Sequence, residues 1–201
     1  MNSSLCSLLG IQYPIMQGAF QWLATPELAA AVSNAGGLGT ISASLYQTKE
    51  ELTEAIARAK SLTDKPFCVN ISMFPEVVEG EKTWDFIAAC CQSQVPVVEL
   101  SGRDPKPFVE ELHGAGAKII HKSTAVRFAQ KAEAAGVDVV SVVGFECGGA
   151  PGNDDVTSMV LVPSVASAVH IPVIGGGGVC DGRSYLAMRA LGAEGVVIGT
   201  R

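Results

Sequence analysis

Two glycine turns carry the strongest chemical signal in this sequence. Gly175–Gly176–Gly177–Gly178 runs into Val179, Cys180 and Asp181, and a second turn follows at Gly199–Thr200–Arg201. Glycine lets backbone N–H groups approach a ligand closely. Successive amides with a helix start behind them suit an anion such as phosphate. A lysine stands in His121–Lys122–Ser123–Thr124, where a cation could hold the charge of a phosphate or of a reduced ring. Adjacent residues of a strand face opposite sides, so His121 points away from Lys122 and reads as structural. Met16–Gln17–Gly18–Ala19–Phe20–Gln21–Trp22 joins a glycine turn to aromatics. That suits a flat ring held by stacking and backbone hydrogen bonds, and equally suits ordinary packing. Asn70 and Ser72 could donate to such a ring.

A long glycine-rich segment, 144–155, holds Glu146, Cys147, Gly148, Gly149, Asp154 and Asp155. Loops of this kind usually serve function. Glu146 reads as an acid, a base or an organiser of hydrogen bonds. Asp154 and Asp155 read as loop surface or a helix cap. Cys147 has no histidine near it in sequence, which argues against a catalytic thiolate. His113 and His170 read as surface residues. No HExxH, GxSxG or P-loop pattern is present.

The elements that must position these residues repeat one pattern. Short runs at 14–17, 38–41, 67–71, 97–100, 118–121, 139–143, 172–174 and 195–198 are apolar on both faces, as strands of a buried parallel sheet are. Helical stretches fill the gaps. Thr25–Pro26–Glu27 starts the first, with Gly36 at its end. Leu52, Ile56 and Ala59 stripe the second. Residues 84–92, 105–113 and 160–168 form three more. Thr124 is expected to cap 125–135, and Asp181 the last. Strict alternation means an α/β fold. Eight strands favour a (β/α)8 TIM barrel over a doubly wound sheet, and no GxGxxG follows the first strand. In such a barrel function sits at the C-terminal ends of the strands, with phosphate after strands seven and eight.

Composition agrees. Hydrophobic residues make up 48% and charged residues 17% of the 201, which excludes a disordered chain. A net charge of -6 argues against nucleic acid as a partner. Cys6, Cys68, Cys90, Cys91, Cys147 and Cys180 form no CxxC pair, so neither a zinc site nor a disulfide scaffold is expected. No apolar run reaches the roughly 18 residues of a membrane span, and no basic N-terminal stretch resembles a signal peptide. The expectation is a cytoplasmic protein with a small-molecule substrate.

The combination of motifs resembles the nitronate monooxygenase (2-nitropropane dioxygenase) family. The residues concerned are Pro14–Ile15–Met16–Gln17–Gly18, the helix from Glu27 through Ala35–Gly36–Gly37–Leu38–Gly39, Thr63–Asp64–Lys65–Pro66–Phe67, Gly144–Phe145–Glu146–Cys147, the glycine tetrad, and Gly192–Ala193–Glu194–Gly195 through Arg201. Gln21–Trp22 and His121–Lys122–Ser123–Thr124–Ala125–Val126–Arg127 are most similar to its NADH:quinone reductase branch.

The resemblance implies an FMN-bound barrel followed by a helical C-terminal region. Residues 1–201 would then be one FMN-binding TIM-barrel domain lacking the eighth helix and that region. Apolar wall would be exposed between the first and seventh helices. Ala19, Phe20, Gln21 and Ser72 would lie at the flavin ring. Lys122 would serve binding and catalysis on its N1/C2 side. Gly148 and Gly149 would pass close by, and Gly176, Gly177, Gly178, Gly199 and Thr200 would hold the phosphate.

One departure stands at Ala150, where the family pattern has the histidine associated with acid/base chemistry. The implied activity is nitronate oxidation through flavin N5 with oxygen as acceptor. The alternatives are an NAD(P)H:quinone reductase, an FMN-type enoyl-acyl carrier protein reductase, and a non-catalytic phosphate-ligand barrel or inactive fragment.

Overall fold

The computed structural model describes residues 3–73, 81–149 and 152–200. The strands are β1 (Ile15–Gln17), β2 (Gly39–Ser42), β3 (Phe67–Ser72), β4 (Val97–Ser101), β5 (Lys118–Ser123), β6 (Val139–Val143), β7 (Val173–Gly176) and β8 (Gly195–Ile198). The helices are α1 (Ser4–Leu9), α2 (Pro26–Asn34), α3 (Lys49–Leu62), α4 (Glu81–Gln92), α5 (Lys106–Gly114), α6 (Val126–Ala135), α7 (Ser158–Ala166) and α8 (Gly182–Ala190). All strand pairs are parallel, in the order β1-β8-β7-β6-β5-β4-β3-β2. A parallel bridge between Met16 and Leu38 joins the two ends, so the sheet closes as a TIM barrel.

The β1–β2 seam is short, and a side chain extends it. Leu38 N–H donates to Ile15 O at 2.9 Å, and Gln17 N–H to Leu38 O at 2.9 Å. Beyond these, the buried Gln17 amide donates to Thr40 O at 2.9 Å and accepts from Thr40 N–H at 3.3 Å. The Thr40 hydroxyl returns a bond to Gln17 O at 2.8 Å. A side-chain amide thus substitutes for a missing rung of backbone.

Outward residues of the strands pack under the helices: Ile41, Val69, Val98, Ile119, Val140, Val173 and Val196 share one cluster with the helical stripes of α2–α8. Inward residues form a second cluster of Met16, Leu38, Cys68, Val97, Ile120, Val139, Ile174 and Val197. Leu5 and Leu9 of α1 complete it, so α1 plugs the N-terminal end of the lumen. Ser3 caps this helix, accepting from Cys6 N–H. The Glu194 carboxylate, at the foot of β8, also accepts from Ser4 Oγ and from Leu5 N–H, a favourable place for negative charge.

The expected strands appear within two residues of their predicted limits. Thr25 caps α2 and Asp181 caps α8, as expected. Some details differ, and α4 starts at Glu81 rather than at 84. Helix α1 lies in a stretch where no element was expected. Thr124 makes no cap, because α6 starts from Ala125 without a side-chain bond. Helix α7 starts at Ser158 rather than at 160. No helix follows β8 among the described residues. Ile15 on β1 is 38% exposed and Leu186 on α8 is 67% exposed.

The Gln17 clamp makes a stability prediction. Gln17→Leu keeps the volume but leaves the Thr40 N–H and C=O unpaired in the seam. Each unsatisfied buried group costs about 1–3 kcal/mol. Chemical denaturation should show a loss of about 2–4 kcal/mol with an unchanged m-value. A loss below ~1 kcal/mol would mean the seam does not depend on this amide.

Candidate functional site

Above the apolar layer the lumen turns polar. Thr40, Asn70, Glu99, Lys122 and Ser141 share the inward parity of their strands, and Asn70 pairs in register with Glu99, Ser101 with Lys122, and Lys122 with Ser141. Glu99 is fully buried, at 0% exposure. Its Oε2 accepts from the Asn70 side-chain amide at 2.6 Å and lies 3.3 Å from Lys122 Nζ. The same Asn70 amide donates to Ser101 Oγ at 2.9 Å. Among the described residues, two buried side-chain atoms have no hydrogen-bond partner, Glu99 Oε1 and Ser141 Oγ. Such orphans are rare and call for an occupant. The Lys122 side chain is 23% exposed, so it climbs from the buried carboxylate toward the mouth.

His121 points the other way, as expected. Its ring bonds Ser123 Oγ at 2.9 Å and Arg103 O at 3.0 Å, beneath the loop after β4. Burial holds this imidazole below its usual pKa, so it is neutral near pH 7.

The glycines after β7 and β8 divide into two kinds. A Cβ on Gly176 would meet Val197 at 2.4 Å, and one on Gly177 would meet Ser158 Oγ at 2.5 Å. The packing of the barrel leaves no room for a side chain at these two positions. A Cβ on Gly178 would meet nothing within 4 Å, and one on Gly199 nothing closer than the Phe20 ring at 3.9 Å. Gly178, Gly199 and Thr200 are exposed, at the C-terminal ends of the neighbouring strands β7 and β8. The first turn of α8 adds less than its position suggested. Asp181 Oδ1 already accepts from Arg183 N–H at 3.0 Å and Ser184 N–H at 2.9 Å. Those bonds, Ser184's first, hold its carboxyl below the usual range, so the helix start carries its own anion.

Ala19 and Phe20 are half-buried in the loop after β1, with Gln21 exposed beside them. Ser72 ends β3 and is exposed. Gly148 and Gly149 are exposed after β6, and a Cβ on either would touch nothing. Glu146 is an organiser: both its oxygens accept from Ser158 N–H at 3.0 Å, and Ser158 Oγ donates to Gly176 O at 2.7 Å. This ties the loop after β6 to the end of β7 through the start of α7. Asp154 faces Arg127 at 3.4 Å on the surface. Burial pushes the Cys147 thiol above its usual pKa, which disfavours a thiolate. Ala150 lies outside the described residues. Glu99 was missed by sequence reasoning. The available signal was a lone carboxylate inside an apolar strand, on the same parity as Lys122.

The family model described as nitronate monooxygenase matches residues 2–85 and 76–201. The chain belongs to the nitronate monooxygenase family. A (3aS,4S,5R,7aS)-5-hydroxy-7a-methyl-1-oxo-octahydro-1H-indene-4-carboxyl-CoA dehydrogenase of Rhodococcus jostii is 39% identical, across 100% of this chain and 55% of the relative. A probable nitronate monooxygenase of Staphylococcus saprophyticus is 34% identical, across 100% of this chain and 67% of its own length. Among solved structures, FabK from Thermotoga maritima superposes with a TM-score of 0.93 at 41% identity, covering 100% of this chain and 62% of that one. The chain therefore spans little more than half to two thirds of the length of these family relatives.

The division of the glycines can be tested in this nitronate monooxygenase family barrel. Gly199→Val points into open space at an ordinary backbone conformation. It should leave folding stability within ~0.5 kcal/mol while weakening FMN at least about tenfold. Gly177→Val meets Ser158 at a φ of +93° and should instead cost about 2–4 kcal/mol of stability. Denaturation and FMN titration of both variants check this. Undiminished FMN binding in Gly199→Val would remove Gly199 from the site.

Proposed function

We propose that this chain is the catalytic barrel of an FMN-dependent oxidoreductase. The observation that carries the reading is the pairing of exposed, uncrowded glycines at Gly178 and Gly199, beside Thr200, with a polar lumen whose Glu99 Oε1 and Ser141 Oγ lack partners. These features fit a ligand with a phosphate at one end and a polar planar ring at the other. Gly178, Gly199 and Thr200 would take the phosphate. Ala19 and Phe20 would cover the ring, and Ser72, Gly148 and Gly149 would border it. Lys122 would set its cation against the N1/C2 edge, while Asn70, expected to donate to the ring, spends both amide hydrogens on Glu99 and Ser101. FMN held there supplies two-electron transfer at N5 of its ring.

For the substrate, the family favours a nitronate, oxidised with oxygen as the acceptor. A second reading rests on the relatives near 40% identity. One is called a carboxyl-CoA dehydrogenase and the other is FabK. Together they favour an acyl-thioester substrate, as in the FMN-type enoyl-acyl carrier protein reductases. The resemblance to the NADH:quinone reductase branch keeps NAD(P)H as a candidate electron donor. Reduction of the flavin by NAD(P)H needs no histidine at Ala150, because hydride transfer to N5 depends on orientation.

Anaerobic titrations of the FMN-loaded protein separate the readings. Bleaching by a nitronate supports the first. Bleaching by NAD(P)H, followed by reoxidation with an enoyl thioester or with a quinone, supports one of the others. A colourless protein that retains no FMN would overturn all of them and leave a phosphate-ligand barrel. Ala150→His adds a discriminating arm. General acid/base catalysis is typically worth 10²–10⁴-fold, so nitronate-driven reduction should rise by about 10²-fold or more. NAD(P)H-driven reduction should change by much less. Equal effects on both donors would remove the acid/base role from this position.

A further inference from the structure

The Glu99 carboxylate is the least economical way to anchor Lys122. A fully desolvated charge is costly, and backbone carbonyls or neutral amides hold a lysine without that cost. Only Oε2 is engaged, by Asn70 and Lys122, while Oε1 is buried and unpartnered. A purely structural carboxylate would be expected to satisfy both oxygens. The pair is also polarised along the barrel axis. Glu99 sits at 0% exposure, and the Lys122 side chain at 23%, so the positive end faces the mouth and the negative end lies beneath it.

We propose that Glu99 is a positioning residue that sets the charge seen by the flavin ring. It fixes the Lys122 ammonium as a donor under the mouth and cancels most of the lysine's net charge, while the Asn70 amide is spent on Glu99 and Ser101. The inference rests on the FMN reading above. It adds that the ring meets an oriented, nearly neutral Lys122–Glu99 ion pair instead of a free cation.

Sulfite reads that charge directly. Its sulfur lone pair forms a bond to flavin N5, and the displaced electron pair settles on the N1/C2 edge without a proton being required. The dissociation constant of sulfite therefore reports the potential at that edge. Glu99→Gln removes the buried negative charge, and sulfite should bind about tenfold more tightly. Lys122→Met leaves the carboxylate uncompensated, and sulfite should bind about tenfold more weakly. Opposite signs are the signature, because damage to the fold would weaken both variants together.

The measurement is spectrophotometric titration of the FMN-loaded protein and both variants with sulfite. Unchanged or weaker binding in Glu99→Gln overturns the proposal. Should that variant fail to fold, Lys122→Met is compared with the double substitution Glu99→Gln/Lys122→Met. The double variant should then bind sulfite about tenfold more tightly than Lys122→Met alone, and equality overturns the proposal. Failure of the parent protein to take up FMN would overturn the FMN reading and this inference together. A flavinated protein whose sulfite affinity ignores residue 99 overturns this inference alone.

Discussion

Closure of the sheet is the constraint on which everything else depends. Once β1 meets β2 through Met16, Leu38 and the Gln17–Thr40 clamp, every strand has two neighbours and every residue has an assigned side. A slip of one residue would send each inward group outward. Glu99 is tolerable in the lumen only because Asn70 and Lys122 arrive on the same parity from adjacent strands. The polar layer is thus a product of register, and register is a product of closure.

Much of this was legible in the residues. Strands buried on both sides appear as uninterrupted apolar runs, and their limits differ by at most two residues from those observed. Alternation by two also separated Lys122 from His121 correctly. What escaped notice was short or exceptional. Helix α1 has only six residues, too few to show a period, although Ser3 and Gly10 flank it as cap signals. Thr124 is the right residue type for a cap, but α6 begins one residue later and leaves it out. Glu99 interrupts an apolar run only once. A search for runs passes over such an interruption, whereas a search by parity finds it facing Lys122.

The glycines show where spacing stops being informative. Four in a row suggest one purpose, yet Gly176 and Gly177 are demanded by Val197 and Ser158, while Gly178 faces open space. Their separation depends on distances across the barrel that no local pattern encodes. The same holds for Asp181. A helix start is attractive to anions in general, but here the cap residue itself takes the Arg183 and Ser184 amides.

The plug formed by α1 has a kinetic consequence. With Leu5 and Leu9 filling the far end, the polar layer among the described residues has its opening toward the C-terminal ends of the strands. A planar ligand across that opening would act as a stopper. Water and protons below it could then exchange with bulk solvent only when the ligand tilts or leaves. Isotopic labels on hydroxyl or ammonium groups in that layer would wash out at the rate of that opening, not at the rate set by their own acidity. The barrel would in this way keep a memory of the protonation state in which it last closed.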